Sequence, residues 1–349
     1  MKKNLIYIML IGLFLSACSN QERVFDDYEE QNVYFPIQYP VRTLSLNEES
    51  RIDNSIDLEH AFSIGAAIGG LYSNDQERVV DIALAPELLN NVTVSGAAIE
   101  LMPASYYTLS SADQIVIPKG QFSGTIRVEL TDDFFNDPLA IGVNYVIPLV
   151  ITGADDNIGI LRGVASEIIT DPDRRISSDW SIAPKDYTLF AVKYQNKFDG
   201  TYLHAGIDEA LVGPGGAVDS VYSTFSEEFM EDNLLTDVET ASLTDSYVNN
   251  VGRFSGQLMV SVDDAGDIVV SSAAGSEYTV NGTGKFLPST DEGARAWGGI
   301  KRQTMVLDYE YEFVDPDDAA ITHYHHVSDT LVYRNDNLVF EEFEIEVTP

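Results

Sequence analysis

Hydrophobic side chains in this chain recur at every second position. Between residues 305 and 313 one face carries Met305, Leu307, Tyr309, Tyr311 and Phe313, while Asp308, Glu310 and Glu312 take the other. A period of two places neighbouring side chains on opposite faces of an extended backbone, so the pattern predicts a half-buried antiparallel strand. Phe343-Glu344-Ile345-Glu346-Val347 repeats it at the C-terminus. Residues 258–262 and 268–272 flank Asp263-Asp264-Ala265-Gly266-Asp267, which reads as a hairpin with a glycine available for its turn. Gln114–Ile117 and residues 124–130 lie either side of Pro118-Lys119-Gly120 and predict two more strands. Residues 145–152 are nearly all apolar, as in a strand covered on both faces. Pro148 within them lacks a ladder donor and predicts an edge position or a bulge. Pro86-Glu87-Leu88-Leu89-Asn90-Asn91 is long enough only for one helical turn. Strands at this spacing predict an all-β chain, a sandwich first and a barrel second.

The N-terminus carries Lys2 and Lys3, an apolar run from Leu5 to Leu15, and Leu15-Ser16-Ala17-Cys18. A basic start, a short apolar stretch and small residues predict a secretory leader over 1–17. Cys18 is the one cysteine, so no intramolecular disulfide and no cysteine-based zinc site can form. Its setting resembles a bacterial lipobox, whose thiol takes a diacylglyceryl group. Elsewhere no stretch reaches the roughly 18 apolar residues that a membrane helix needs, so the expected anchor is lipid. Residues 18–31, with Asp26, Asp27, Glu29 and Glu30, are expected to be a tether. The sequence places domains at 32–170 and 187–349. The Pro-, Ser- and charge-rich stretch 171–186 is read as the linker between them.

The chain has 349 residues, with 56 Asp and Glu against 20 Lys and Arg, a net charge of −36. Nucleic-acid affinity comes mainly from cationic side chains that release counterions, so this balance argues against it. Hydrophobic content of 44% argues equally against disorder.

Two blocks resemble a known pair of domains. The first runs through Val33-Tyr34-Phe35-Pro36, Gly69-Gly70, Met102-Pro103-Ala104-Ser105-Tyr106-Tyr107-Thr108-Leu109, Ile115, Ile117 and Gly120, and Tyr145-Val146-Ile147-Pro148-Leu149. The second runs from Ala191-Val192-Lys193-Tyr194-Gln195-Asn196-Lys197-Phe198-Asp199-Gly200-Thr201-Tyr202 through Gly282-Thr283-Gly284-Lys285-Phe286 and Trp297-Gly298-Gly299 to Asp329-Thr330-Leu331-Val332-Tyr333-Arg334. Together they resemble a family of Bacteroidetes surface lipoproteins of unknown function. The resemblance implies an N-terminal immunoglobulin-like β-sandwich and a C-terminal calycin-like antiparallel β-barrel. It further implies an outer-membrane address facing the cell exterior, and genes beside porin and capture-lipoprotein pairs of the starch-utilisation-system (SusC/SusD-like) type. The expected partners are therefore the membrane, through lipid, a polysaccharide or oligosaccharide, and that porin complex. No catalytic residue is carried over.

Sugar rings stack on aromatic faces while polar neighbours take their hydroxyls. Trp297, among small residues, Trp180, in the expected linker, and Tyr202 are the candidate ligand-binding residues. His323 and His325 would share one face of a strand, with His326 on the other. Two imidazoles are a start toward a metal site that needs a third ligand. Three acidic loops, 155–157, 263–267 and 315–318, offer oxygens suited to Ca²⁺, although none has EF-hand spacing. No cofactor is otherwise expected. Gly-x-Ser-x-Gly, His-Glu-x-x-His and phosphate-loop motifs are absent from the sequence. The expectation is a non-enzymatic, accessory glycan-binding lipoprotein; the alternatives are an adhesin or scaffold, and a glycan hydrolase acting through two carboxylates.

Overall fold

The computed structural model describes residues 27–155 and 157–348, and it is all-β. Cys18 and most of the expected tether lie outside the described residues. Among the described residues no helix is long and apolar enough to cross a membrane.

The N-terminal unit is a sandwich of two sheets. One runs Gly159–Ile160, Asn32–Tyr34, Ala61–Gly69, Ser123–Leu130, Tyr107–Leu109. The other runs Glu341–Glu342, Pro40–Ser45, Tyr187–Gln195, Tyr145–Ala154, Arg78–Leu84, Gln114–Ile117. Their facing side chains, among them Phe35, Phe62, Ile64, Ile126, Phe134, Ile147 and Tyr194, form one buried core. The outermost strands are two to four residues long, which leaves little unpaired backbone to recruit another chain.

The strand that holds Pro148 carries a bulge, one of the two expected alternatives, but not at the proline itself. Its strand is central, with Tyr187–Gln195 on one side and Arg78–Leu84 on the other, and the register shift falls later, between Ile151 and Gly153. The Pro148 carbonyl accepts from Ala85 N, just past the end of Arg78–Leu84. In an antiparallel pair a residue's nitrogen faces the same neighbour as its carbonyl. The missing donor would have met Ala85 O, which accepts from Leu88 N instead, so no acceptor is left unpaired.

The C-terminal unit is a closed antiparallel barrel of eight strands: Gly200–Leu211, Leu234–Thr240, Asp245–Val251, Phe254–Val262, Asp267–Ser272, Thr279–Leu287, Thr304–Val314 and Thr322–Asn335. The first and last pair over ten residues and close it, and Val218–Phe225 adds a ninth strand outside the ring. The alternating stretch read from sequence is the inward face of Thr304–Val314, with Met305, Leu307, Tyr309 and Tyr311 buried.

The boundary between units differs from the sequence reading. Tyr187–Gln195 pairs with Tyr145–Ala154 and Pro40–Ser45, so it belongs to the sandwich and not to the barrel. Residues 171–186 are accordingly no linker. They form an excursion between two neighbouring strands of one sheet, in which Trp180–Ile182 pairs with Val164–Ala165. The C-terminal residues also return to the sandwich, Glu341–Glu342 against Pro40–Ser45 and Glu346–Val347 against Val92–Val94. The barrel is thus inserted between two strands of the sandwich. Composition misled here because a polar, Pro-containing loop within a sheet resembles a hinge between domains.

The true crossing is Asn196-Lys197-Phe198-Asp199. Buried Asn196 donates to Ser242 O (2.7 Å), Asp245 O (3.0 Å) and Ser246 Oγ (2.9 Å), and its Oδ1 accepts from Phe198 N and Asp199 N. On the return, Asp336 Oδ2 accepts from Ser50 Oγ and Arg51 N, while Gln303 N donates to Glu49 Oε1 at 2.8 Å. Asp199 Oδ2 accepts from Thr240 N (2.9 Å) and Oγ1 (2.8 Å). Burial nevertheless raises its pKa from 3.8 to about 6.

A raised carboxyl pKa means the folded chain holds a proton that the unfolded chain has released. The stabilisation is full below 3.8 and is lost as pH climbs through about 6. Asp199→Asn keeps an acceptor for Thr240 and removes the charge. Urea unfolding should show the variant gaining on wild type between pH 4 and 6, reaching on the order of 2–3 kcal/mol at pH 7. A constant difference across that range would contradict this account.

Candidate functional site

Two places concentrate chemistry. One is a cleft on the sandwich with a volume of about 520 Å³, lined by Gln38, Tyr39, Arg174, Arg175, Trp180, Tyr187 and the returning residues 342–345. Trp180 Nε1 donates to Asp173 O at 2.7 Å, which fixes the indole edge and leaves the half-buried ring as part of the cleft wall. Tyr39 and Tyr187 join through their hydroxyls at 2.6 Å, and Tyr187 Oη donates to Arg174 O. Burial lifts the pKa of both phenols, so both stay protonated. Phe343, brought back by the C-terminal pairing, packs edge-on against Tyr39.

The two guanidiniums are already committed. Arg174 reaches fully buried Asp186 at 3.1 Å. Arg175 grips Asp173, whose carboxyl it holds below the usual range, and donates to Leu88 O and Asn90 O. They stiffen the floor and leave it without excess positive charge. A fixed aromatic face, lined also by the Gln38 amide and the Glu342 and Glu344 carboxylates, suits a hydroxyl-rich ligand without negative charge.

The other place is the barrel interior, where period-two alternation runs Tyr202, His204, Gly206, Asp208 along one inward face. His204 Nδ1 bonds Thr236 Oγ1 (2.9 Å), which donates to Asn250 Oδ1 (2.7 Å). Its Nε2 lies 3.0 Å from Asp329 Oδ2, out of line for a hydrogen bond. Tyr309 Oη donates to Asp329 Oδ2 (2.8 Å) and accepts from Gly252 N (2.6 Å). One layer up, Asp208 accepts from Tyr311 Oη (2.8 Å) and pairs with His325 Nδ1 (2.7 Å). Burial first, then the adjoining carboxylates, push both tyrosines well above their ordinary pKa. Gly206 makes the arrangement possible. A Cβ there would run into Asp329 Oδ1, and would lie 2.7 Å from both Phe225 Cζ and Ser328 O.

The residues singled out from sequence separate clearly. Tyr202 is fully buried, donating to Phe198 O and accepting from Gln303 Nε2, so it cannot meet an external ligand. A tyrosine on an inward strand face is core, and the sequence alone did not say which face was inward. Trp297 sits in the hairpin Ala296–Trp297/Ile300–Lys301, turned by Gly298 and Gly299 at φ +63° and +78°. Arg302 lies 5.8 Å from its ring centroid, and Trp297 is not part of the Trp180 cleft. Trp180 does line one, although within the sandwich rather than at a domain junction.

His323 and His325 do share the inner face, but each holds its own carboxylate. His323 pairs with Asp315 at 2.8 Å and His325 with Asp208, while His326 points outward to Asp308 and Glu209. No group of three metal-ligating side chains occurs among the described residues. In the acidic loops, Asp263 accepts from Ala265 N and Asp267 N, Asp315 from Asp317 N and Asp318 N, and Asp155 from Val79 N. These carboxylates shape their own loops and the neighbouring strand. Sequence reasoning missed Arg174, Arg175, Tyr39 and Tyr187, which nothing local connects. It also missed the interior set, whose one signal was polar residues at alternate positions from His204.

Fold and sites together define a two-unit β protein, a sandwich carrying an aromatic cleft and an inserted barrel with a polar interior. One family model, described as an N-terminal domain, matches residues 28–158, and a second, a domain of unknown function (DUF5627), matches 197–337. The second range coincides with the barrel as its strands define it. A crystal structure of a Bacteroides ovatus protein of unknown function is 35% identical, with a TM-score of 0.79, over 92% of this chain and all of that one. The chain belongs to this Bacteroides family of unknown function. A multidomain B. ovatus protein including DUF1735 aligns over 87% of this chain and 94% of its own, at 12% identity and a TM-score of 0.42, too low to carry an argument. Among curated proteins none matches.

Adding a methyl at Gly206 should destabilise the barrel by roughly 1–3 kcal/mol, because backbone as well as side chains must give way. Chemical denaturation of Gly206→Ala measures this. An unchanged midpoint would mean that Asp329 has room to spare.

Proposed function

We propose that the protein is a non-enzymatic, lipid-anchored outer-membrane protein that binds glycan in the Trp180 cleft. The observation that carries the reading is that cleft: about 520 Å³, with an indole held in place through Nε1 and flanked by Tyr39 and Tyr187. A sugar ring offers a C–H face to the indole and hydroxyls to the rim. Because the aromatic groups are fixed before binding, little side-chain entropy remains to be lost. Lipidation of Cys18 supplies the anchor, and the family resemblance supports an outer-membrane address facing outward. Tethering raises the local concentration of glycan near a porin and capture-lipoprotein complex, the partner the family resemblance suggests.

The test is affinity electrophoresis of the chain beginning after Cys18 against a panel of polysaccharides, with reducing-end release followed in parallel. At least one neutral polysaccharide should retard wild type without release. Trp180→Ala should weaken that retardation by about tenfold or more, and Trp297→Ala should leave it intact. Retardation lost through Trp297 instead would move the site, and release of reducing ends would make the protein a hydrolase.

A further inference from the structure

Among the described strands, Ala296–Trp297 and Ile300–Lys301 pair only with each other, so the Trp297 hairpin is a ribbon apart from the barrel sheet. Arg302 N donates to Arg295 O at 2.9 Å, which continues the register and sets the two arginines opposite each other. Residues directly opposite share a face, and successive residues alternate. Arg295, Trp297, Ile300 and Arg302 therefore lie on one face, with Ala296 and Lys301 on the other. The Arg302 guanidinium over the Trp297 ring agrees with this. Ile300 is 60% exposed and Arg295 is exposed, while Trp297 and Arg302 are half-buried. Like charges directly opposite one another are destabilising, and the chain's 56 acidic side chains could have relieved them. Yet the ion pairs among the described residues include none to Arg295, Lys301 or Arg302. Arg302 Nε is sealed from solvent without a hydrogen-bond partner. Lys301 Nζ donates to Asp291 O (2.8 Å) and Glu292 O (3.1 Å), which draws that acidic pair to the lysine side, away from the arginine face.

Two opposed, uncompensated guanidiniums call for an anion from outside, and the rest of the hairpin selects its carrier. Arg295-Ala296-Trp297-Gly298-Gly299-Ile300-Lys301-Arg302 holds apolar and cationic side chains and no side-chain acceptor. A glycan needs acceptors for its hydroxyls beside an aromatic face, and it would find none here. A phospholipid needs none. Its phosphate takes the arginines, and an indole and an isoleucine at a hairpin tip suit the boundary between headgroups and acyl chains. The net charge of −36 does not forbid the contact, because salt at physiological strength screens exposed charges more than about 8 Å away. We propose that the Trp297 hairpin is a membrane-contact element that enters an anionic phospholipid surface tip first. Trp297 and Ile300 occupy the interface, and Arg295, Lys301 and Arg302 form a collar on the phosphates. The surface is separate from the Trp180 cleft and acts without the lipid on Cys18.

The test uses the chain beginning after Cys18, so that no acyl chain contributes, with vesicles of phosphatidylcholine alone or mixed with phosphatidylglycerol. In a Trp180→Phe background Trp297 is the sole indole. On the mixed vesicles its emission should move to the blue and be quenched by brominated acyl chains; on phosphatidylcholine alone it should do neither. Arg295→Gln,Arg302→Gln should cut co-sedimentation with the mixed vesicles by about tenfold or more, and Ile300→Ser by severalfold, with circular dichroism unchanged. Raised salt should release the wild type. A double variant that sediments like wild type, or a Trp297 emission indifferent to the mixed vesicles, would overturn the proposal. So would retardation by polygalacturonate that the double variant loses while vesicles stay unbound, because the anion would then belong to an acidic glycan.

Discussion

Ten residues of Gly200–Leu211 pair with Thr322–Asn335, and the rest of the molecule depends on that closure. It joins segments more than a hundred residues apart, a contact whose loop entropy has to be met before any local reward. Once made, it leaves the ring without free edges and sets Gly206 opposite Asp329 and Ala210 opposite His325. A slip of one residue would turn every inward side chain outward, so the polar interior and the hydrophobic core are fixed by one register. Closure also brings the ends of the inserted unit together, near Asn196 and Asp336, where the sandwich can resume.

The insertion accounts for the cleft. Because the chain returns to the sandwich after the barrel, Glu341–Glu342 extends the second sheet and Phe343 packs on Tyr39. The cleft wall is therefore made from residues near 39, 174–187 and 342–345, three parts of the chain that only the completed fold assembles. Ion pairs of Arg174 with Asp186 and Arg175 with Asp173 hold its floor. Such pairs position groups more than they stabilise, since desolvation offsets much of their attraction.

Much of this architecture was legible in the sequence. The alternation around Tyr309 predicted a half-buried antiparallel strand and which of its faces is covered, and the turn at Asp263 to Asp267 marked a hairpin that forms as expected. What was not legible was allegiance. Tyr187–Gln195 looks the same whether it opens a barrel or completes a sandwich, because strand patterning records burial and not the identity of the partner. Pro148 illustrates the same limit: its cost depends on where the adjacent strand ends. The candidate sites divide in this way too. Trp180 could be flagged by type alone, and Tyr202 was flagged for the same reason and lies in the core. Asp208 and His325 are paired only through long-range register, so no spacing rule could have joined them.

The chain contains two tryptophans, which makes the cleft directly observable. In a Trp297→Phe background Trp180 is the sole indole, and its fluorescence reports on the cleft alone. Titration with an oligosaccharide cut from a retarding polysaccharide should change that emission saturably, at the same concentrations that compete in electrophoresis. Binding that proceeds with the Trp180 emission unchanged would contradict the account, because the sugar would then be held somewhere else.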